Sequence, residues 1–397
     1  MSSSVLDISK LLTVMTEHDA SDLYLTVESP PMYRINGVCR PAGNRCLLAE
    51  DTEMLANSIM SDRQQKEFES THEQNLALYY SALGRFRVNV FRQRTNIGLV
   101  IRQIKSTILT IDDLELPQTL KDISMTKRGL VLVVGATGSG KSSSLAAMID
   151  YRNANSTGHI ITIEDPIETV HTHKKSIITQ REIGMDTFNY GAALKNALRQ
   201  APDVVLIGEI RDLETMEAAI TFAETGHLCL ATLHSNNANQ AMERIMNFFP
   251  AERHNQIYLQ LSLNLRGIVS QRLIKTIDGG RIAAVEVLLD SPRVKDLIHK
   301  AQIAELKEAM EKSTNLGMQT FDQALFDLYK AEKITLEEAI KNADSANNVR
   351  LRVKLSEDGD FAENPDGKKA KNEKKTEKKE KPEGAEKEVK LQIDMSN

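Results

Sequence analysis

Cysteine, long apolar runs and excess charge are all scarce in this chain. Its three cysteines, Cys39, Cys46 and Cys229, are scattered without CxxC spacing, which excludes a disulfide framework and a metal knuckle. No window approaches the roughly 18 consecutive apolar residues that a membrane helix needs. The opening MSSSVLDISK also lacks the basic then apolar layout of a secretory signal. A cytosolic chain without a transmembrane segment is therefore expected. The formal net charge is only −5, from 50 basic and 55 acidic residues, so nucleic acid is not the expected partner.

What is present is ordinary globular material, 397 residues with 41% apolar content, enough for two cores. Residues 1–108 alternate short patterns: an amphipathic opening (VLDISKLLTVMTEH), period-two runs (DLYLTV, MYRINGV), a helical stretch (AEDTEMLANSIMS) and strands LALYYS and FRVNVFRQR. That mixture predicts a small α+β domain. Residues 109–124, including LTIDDLELP with Pro117, show no period and are expected to form a linker. From residue 125 to 355 strand and helix alternate: LVLVVG, SSLAAMIDYR, HIITIED, AALKNALRQ, VVLIGEI, TMEAAITFAETG and LCLATLH. Continuous Val, Ile and Leu strands predict a parallel sheet buried on both faces, a doubly wound α/β domain. Within it, Asn237 to Ala343 reads as mainly helical. Residues 356–397, rich in balanced Lys and Glu and almost free of apolar residues, are expected to be a disordered, solvated tail.

Four motifs carry chemistry. Gly135-Ala136-Thr137-Gly138-Ser139-Gly140-Lys141-Ser142 fits GxxxxGK[ST] between a strand and a helix. In such a loop glycines let backbone N–H groups approach phosphates, a lysine neutralises β and γ oxygens and a serine ligates Mg²⁺. The next strand ends in Glu164-Asp165-Pro166-Ile167-Glu168, where an α/β sheet presents its ligand site and carboxylates can hold Mg²⁺ or orient water. Another ends in Gly208-Glu209-Ile210-Arg211-Asp212, which makes Glu209 the expected general base. A fourth ends in Thr232-Leu233-His234-Ser235, where an imidazole can report a γ-phosphate. His171 and His173 are read as surface or packing residues, for no matching ligand pair argues for zinc. Arg87 and Arg102 lie on strands of the first domain. A two-domain ATPase needs cations around its γ-phosphate, and the second domain offers few: Lys141, Arg211 and Arg244.

The ordered set GATGSGKSS, ITIEDPIE, APDVVLIGEIRDLETMEAAITFAETGHL and ATLHS resembles the secretion ATPases of type IV pilus and type II secretion systems. Within them it is most similar to the PilT/PilU retraction branch, on the PilU side. The likeness runs from SDLYLTVESPPMYRINGV to NNVRLRVKL and leaves out only the tail. It implies a PAS-like N-terminal α+β domain, a RecA-like P-loop ATPase domain with a helical C-terminal part, and a ring-shaped homohexamer using ATP and Mg²⁺. Carried over residue by residue, the phosphate loop is Gly135 to Ser142 with Ser143 beside it, and the acidic box is Glu164, Asp165 and Glu168. The Walker B glutamate is Glu209, the histidine box His234, and the arginines of the first domain Arg87 and Arg102. Arg244 matches a further nucleotide-site arginine. Implied partners are a PilT-like retraction ATPase and an inner-membrane pilus platform protein, at the cytoplasmic side of the pilus base.

Departures are local. Ala136 stands where many relatives have Pro and Ser143 where Thr is common, and neither removes a phosphate contact. The AIRxLIRE signature is absent, its region reading VKDLIHKAQIAELKEAMEK, which favours an accessory role over independent retraction. The four-cysteine insertion of assembly motors is also absent. Rival readings are a pilus-extension or type II secretion ATPase, and a nucleotide-binding scaffold for a partner motor. DNA translocation is disfavoured by the acidic balance.

Overall fold

A computed structural model describes residues 6–104 and 107–363. The disordered tail expected from residue 356 begins inside a helix that continues to Glu363, and its remainder lies outside the described residues. The chain divides into two compact units, one up to Ser106 and one from Thr107, and each is built around its own sheet.

The first unit runs α1 (Ile8–Glu17), β1 (Asp22–Leu25), β2 (Met32–Ile35), β3 (Val38–Pro41), α2 (Ala49–Ile59), α3 (Asp62–Thr71), β4 (Glu73–Tyr80), β5 (Gly84–Gln93) and β6 (Asn96–Ile104). Its strands pair in the order β3-β2-β1-β6-β5-β4, antiparallel throughout. In β5 the fully buried Phe86, Val88 and Val90 alternate with half-buried Arg85, Arg87 and Asn89, so one face packs and the other carries polar groups. Helix α1 is capped by Asp7, whose carboxylate accepts from Ser9 N, and buries Ile8, Leu11, Leu12 and Met15 at helical spacing.

The second unit continues with α4 (Thr119–Ser124), β7 (Gly129–Val134), α5 (Lys141–Asn155), β8 (Gly158–Glu164), β9 (Ser176–Glu182), α6 (Tyr190–Ala197), β10 (Val204–Ile207), α7 (Leu213–Glu224) and β11 (Leu228–Leu233). Then come α8 (Ala238–Asn247), α9 (His254–Asn264), β12 (Leu265–Lys275), β13 (Arg281–Leu289), α10 (Pro292–His299), α11 (Leu306–Glu311), α12 (Phe321–Lys330), α13 (Leu336–Asn342) and α14 (Ala346–Glu363). The strand order is β13-β12-β7-β11-β10-β8-β9. Alternate residues of β7 feed two cores. Leu130, Leu132 and Val134 pack with residues of α7, α8 and α9, while Val131 and Val133 pack with Leu145, Met148 and Ile149 of α5. Cys229 of β11 is buried in the first of these cores, whereas Cys39 and Cys46 are exposed.

Two expectations change here. Residues 109–124 are not a free linker: Ile111, Leu116, Leu120 and Ile123 are buried in the second unit's core, on a path too irregular to show a period. The stretch read as helical also contains β12 and β13. Strand β12 lies parallel to β7 and β13 antiparallel to β12, so the sheet is mixed. The IDGGRI turn between alternating apolar runs was the local signal for this hairpin.

Strands β7, β11, β10 and β8 are consecutive parallel neighbours. Their carboxyl ends, which lead to the phosphate-loop, His234, Glu209 and Glu164 segments, therefore emerge along one edge.

Candidate functional site

The loop between β7 and α5 turns on left-handed glycines. Gly135 and Gly138 have φ of +154° and +77°. A Cβ on Gly135 would sit 2.5 Å from Ser139 Oγ and 2.6 Å from the Gln271 carbonyl oxygen, so only glycine lets the loop approach β12 this closely. Lys141 is nearly buried and its Nζ donates to the carbonyls of Gly135 and Ala136 at 2.8 and 2.9 Å. Burial lowers its pKa, against the attraction of Glu209 and Glu168. The ammonium is thus held over the loop, beside the free N–H groups of the first turn of α5, where an anion binds best.

Glu209 follows β10 and is gripped from two sides. His234 Nε2 lies 3.1 Å from its Oε1, and Arg211 Nε donates to its Oε2 at 2.7 Å. Arg211 also reaches Asp165 Oδ2 at 3.2 Å, so this cation is committed to carboxylates rather than free to face a phosphate. Glu164 accepts from Thr162 Oγ1 at 2.6 Å and from Gln180 Nε2 at 3.2 Å. Burial raises its pKa despite these bonds, and the charges of Glu168 and Glu182 add to the rise. The Thr232 hydroxyl donates to the Gly208 carbonyl and ties the Glu209 loop to β11.

A cleft of about 340 Å³ gathers Thr137, Gly138, Lys141, Ser142, Glu164, Asp165, Glu168, Glu209 and His234 on its walls. The structure thus brings together most of the sequence-predicted set. Ser143 instead faces a second cleft of about 760 Å³ on the other side of Gly140, lined by Leu114, Leu116, Leu273 and Ile277 among others. Arg244 is exposed on α8 and lines neither cleft. Arg87 and Arg102 stand directly opposite each other on β5 and β6. Arg102 Nε donates at 2.8 Å to Asp22 Oδ1, a buried carboxylate that offsets the repulsion expected of a like-charge pair.

His171, read as a surface or packing residue, is half-buried and lines the first cleft. Burial pulls its pKa down to about 4, and its Nδ1 has no hydrogen-bond partner among the described residues. Three residues that brace the motif loops had no sequence signal. Gln180 donates to Glu164 and to the Thr169 carbonyl and accepts from His171 N, which pins the acidic loop. Gln271 accepts the Ser144 hydroxyl at 2.8 Å beneath the phosphate loop, and Arg272 donates to the Asn236 carbonyl at 3.2 Å, two residues beyond His234.

A family model described as type II/IV secretion system protein matches residues 4–279. The chain belongs to this family. Among its members, the type IV pilus ATPase PilU of Pseudomonas aeruginosa is 54% identical over 356 residues, covering 89% of this chain and 93% of that protein. The retraction ATPase PilT of the same organism is 43% identical, covering 85% of this chain and 98% of PilT. The crystal structure of the pilus retraction motor PilT with bound ADP matches with a TM-score of 0.82 at 40% identity, covering 87% of this chain and 99% of that one. Among the described residues no helix is long and apolar enough to cross a membrane.

Proposed function

We propose that the chain is an ATP-hydrolysing motor that drives or assists type IV pilus retraction, acting as a homohexamer beside a PilT-like ATPase and a membrane platform protein at the cytoplasmic side of the pilus base. One observation carries the reading: four strand-end loops deliver a phosphate-gripping lysine, a carboxylate paired with histidine and an acidic box to one cleft. The likeness to PilU and PilT supports the pilus assignment. The first unit corresponds to a PAS-like domain and the second to a RecA-like ATPase domain.

Triphosphate oxygens lie on the N–H groups of Gly138 to Ser142, and Lys141 turns from the loop carbonyls to the β and γ oxygens. The nucleoside extends past Ser143 into the second, more apolar cleft. Ser142, Asp165 and Glu168 supply the oxygen donors that a hard cation prefers. Among the described residues no group of three acidic, histidine or cysteine side chains is close enough to hold a metal unaided. Ser142, with Asp165 and Glu168 in support, would hold Mg²⁺, which would supply charge neutralisation at the phosphates.

Glu209 takes the proton from the attacking water: each of its oxygens keeps a lone pair beyond those used by His234 and Arg211. Glu164, held by Thr162 and Gln180, would orient metal or water in the cleft. His234 senses the γ-phosphate from its place on Glu209. Arg87 and Arg102 stabilise transferring charge, and Arg244 serves the nucleotide. Loss of the γ-phosphate releases these contacts and converts hydrolysis into domain movement.

The test is Glu209→Gln, measured both as phosphate release with Mg-ATP and as twitching in strains with and without a PilT-like partner. The expected outcome is a hydrolysis rate lower by about 10²- to 10⁴-fold with ATP still bound, and impaired twitching. Normal retraction with this variant would sink the motor reading and leave a scaffold. Phosphate release unchanged in Lys141→Ala would sink the site itself.

A further inference from the structure

Three consecutive residues of β12 reach three parts of the second unit. Ser270 Oγ donates at 2.9 Å to Glu286 Oε1 of β13, and the same oxygen accepts from Ala238 N, at the start of α8, at 2.8 Å. Gln271 supports the phosphate loop from below. Arg272 spreads its guanidinium over four groups: the Asn236 carbonyl at 3.2 Å, the Asn342 carbonyl at 2.7 Å, Asp344 Oδ1 at 2.7 Å and the Phe321 ring, 3.9 Å from its centroid.

The segment from His234 to Ala238 is therefore pinned twice, by Arg272 at Asn236 and by Glu286 at Ala238. On its far side Arg272 meets an ionic knot. The fully buried Asp322 of α12 accepts from Asp344 N and Ser345 N at 2.8 and 3.1 Å. Lys307 of α11 donates to Asp322 at 3.0 Å and lies 3.8 Å from Asp344. Arg272 is the joint between this knot of C-terminal helices and the loop that presents His234 to Glu209.

We propose that Arg272 is a positioning residue for hydrolysis, holding the His234 loop to the C-terminal helices so that a displacement of those helices is felt at the Glu209–His234 pair. The proposal rests on the reading of that pair as hydrolytic. The chemistry favours arginine, since a planar fork can satisfy three acceptors in fixed directions while stacking on an aromatic ring, which the single ammonium of lysine cannot.

A double-mutant cycle of Arg272→Gln and His234→Ala in the full-length chain tests it, read as steady-state Mg-ATP hydrolysis and binding of a non-hydrolysable ATP analogue. Arg272→Gln is expected to lower kcat about tenfold, with KM and analogue affinity within about twofold. The same change should have less than about a twofold effect once His234 is alanine, because residues acting through one another are not additive. Arg272→Lys should stay near the glutamine level. Asp344→Asn loosens the joint from the helix side, should lower kcat in the same direction, and carries the cycle if Arg272→Gln does not fold. A full tenfold loss that persists in the His234→Ala background, or an unchanged kcat in both Arg272→Gln and Asp344→Asn, overturns the proposal. Lys141→Ala runs alongside: hydrolysis surviving there would instead overturn the site reading.

Discussion

Glu286 shows how much a single buried carboxylate can set in this molecule. It is 1% exposed, and burial raises its pKa from 4.5 to about 7, with Asp344 adding to the rise and the Ala238 N–H, the Ser270 hydroxyl and Arg272 opposing it. The folded state thus holds the proton more tightly than the unfolded chain. The corresponding stability is fully present below pH 4.5 and is lost as the pH rises through about 7. Glu286→Gln keeps an acceptor for both donors and removes the titration. Its melting temperature relative to the parent is therefore expected to climb between about pH 4 and 7, by the equivalent of roughly 3 kcal/mol. Parallel melting curves against pH would show that the carboxyl does not titrate in this range. No local pattern in RIAAVEVLL marks the role of this residue, since its partners sit 16 and 48 positions away.

At the scale of single elements, the phosphate loop separates close approach from backbone strain. At Gly138 an added Cβ meets nothing within 4 Å, and only its φ of +77° stands against a side chain. Gly138→Ala should cost about 1–2 kcal/mol of stability and, because its added methyl faces the cleft rather than β12, weaken ADP binding without abolishing it. At Gly135 the added Cβ collides with the Gln271 carbonyl, so Gly135→Ala must move β12 or the loop and should abolish ADP binding. Titration with ADP distinguishes them, and equal affinities would mean the loop adjusts freely. The elements that carry this chemistry were legible in the sequence, because β7, β8, β10 and β11 are runs of Val, Ile and Leu that break at recognisable motifs. The β12–β13 hairpin was marked only by its IDGGRI turn, whereas strand β9, half polar in SIITQRE, and Gln180, Gln271 and Arg272 carried no local mark. What places them is pairing across long sequence separations, for which no periodicity exists. Residues 109–124 failed for a related reason: their buried side chains follow an irregular path.

For the molecule as a whole, two units with separate sheets mean that a ligand of the second unit need not stabilise the first. ADP at about a hundred times its Kd should stabilise the second unit by about 2.7 kcal/mol, seen as a rise in its thermal transition. Lys141→Ala should lose that rise, and an equal rise in the variant would place the nucleotide elsewhere. The distribution of thiols follows the same division. Cys39 and Cys46 are exposed in the first unit, while Cys229 lies within β11, between β7 and β10, and burial pushes its pKa far up. In a Cys39→Ser, Cys46→Ser variant, a thiol reagent should modify Cys229 only when the nucleotide sheet comes apart, and more slowly with ADP bound. Labelling as fast as that of an exposed thiol would contradict this. A residue with no part in hydrolysis thereby becomes a clock for the opening of the very sheet that hydrolysis depends on.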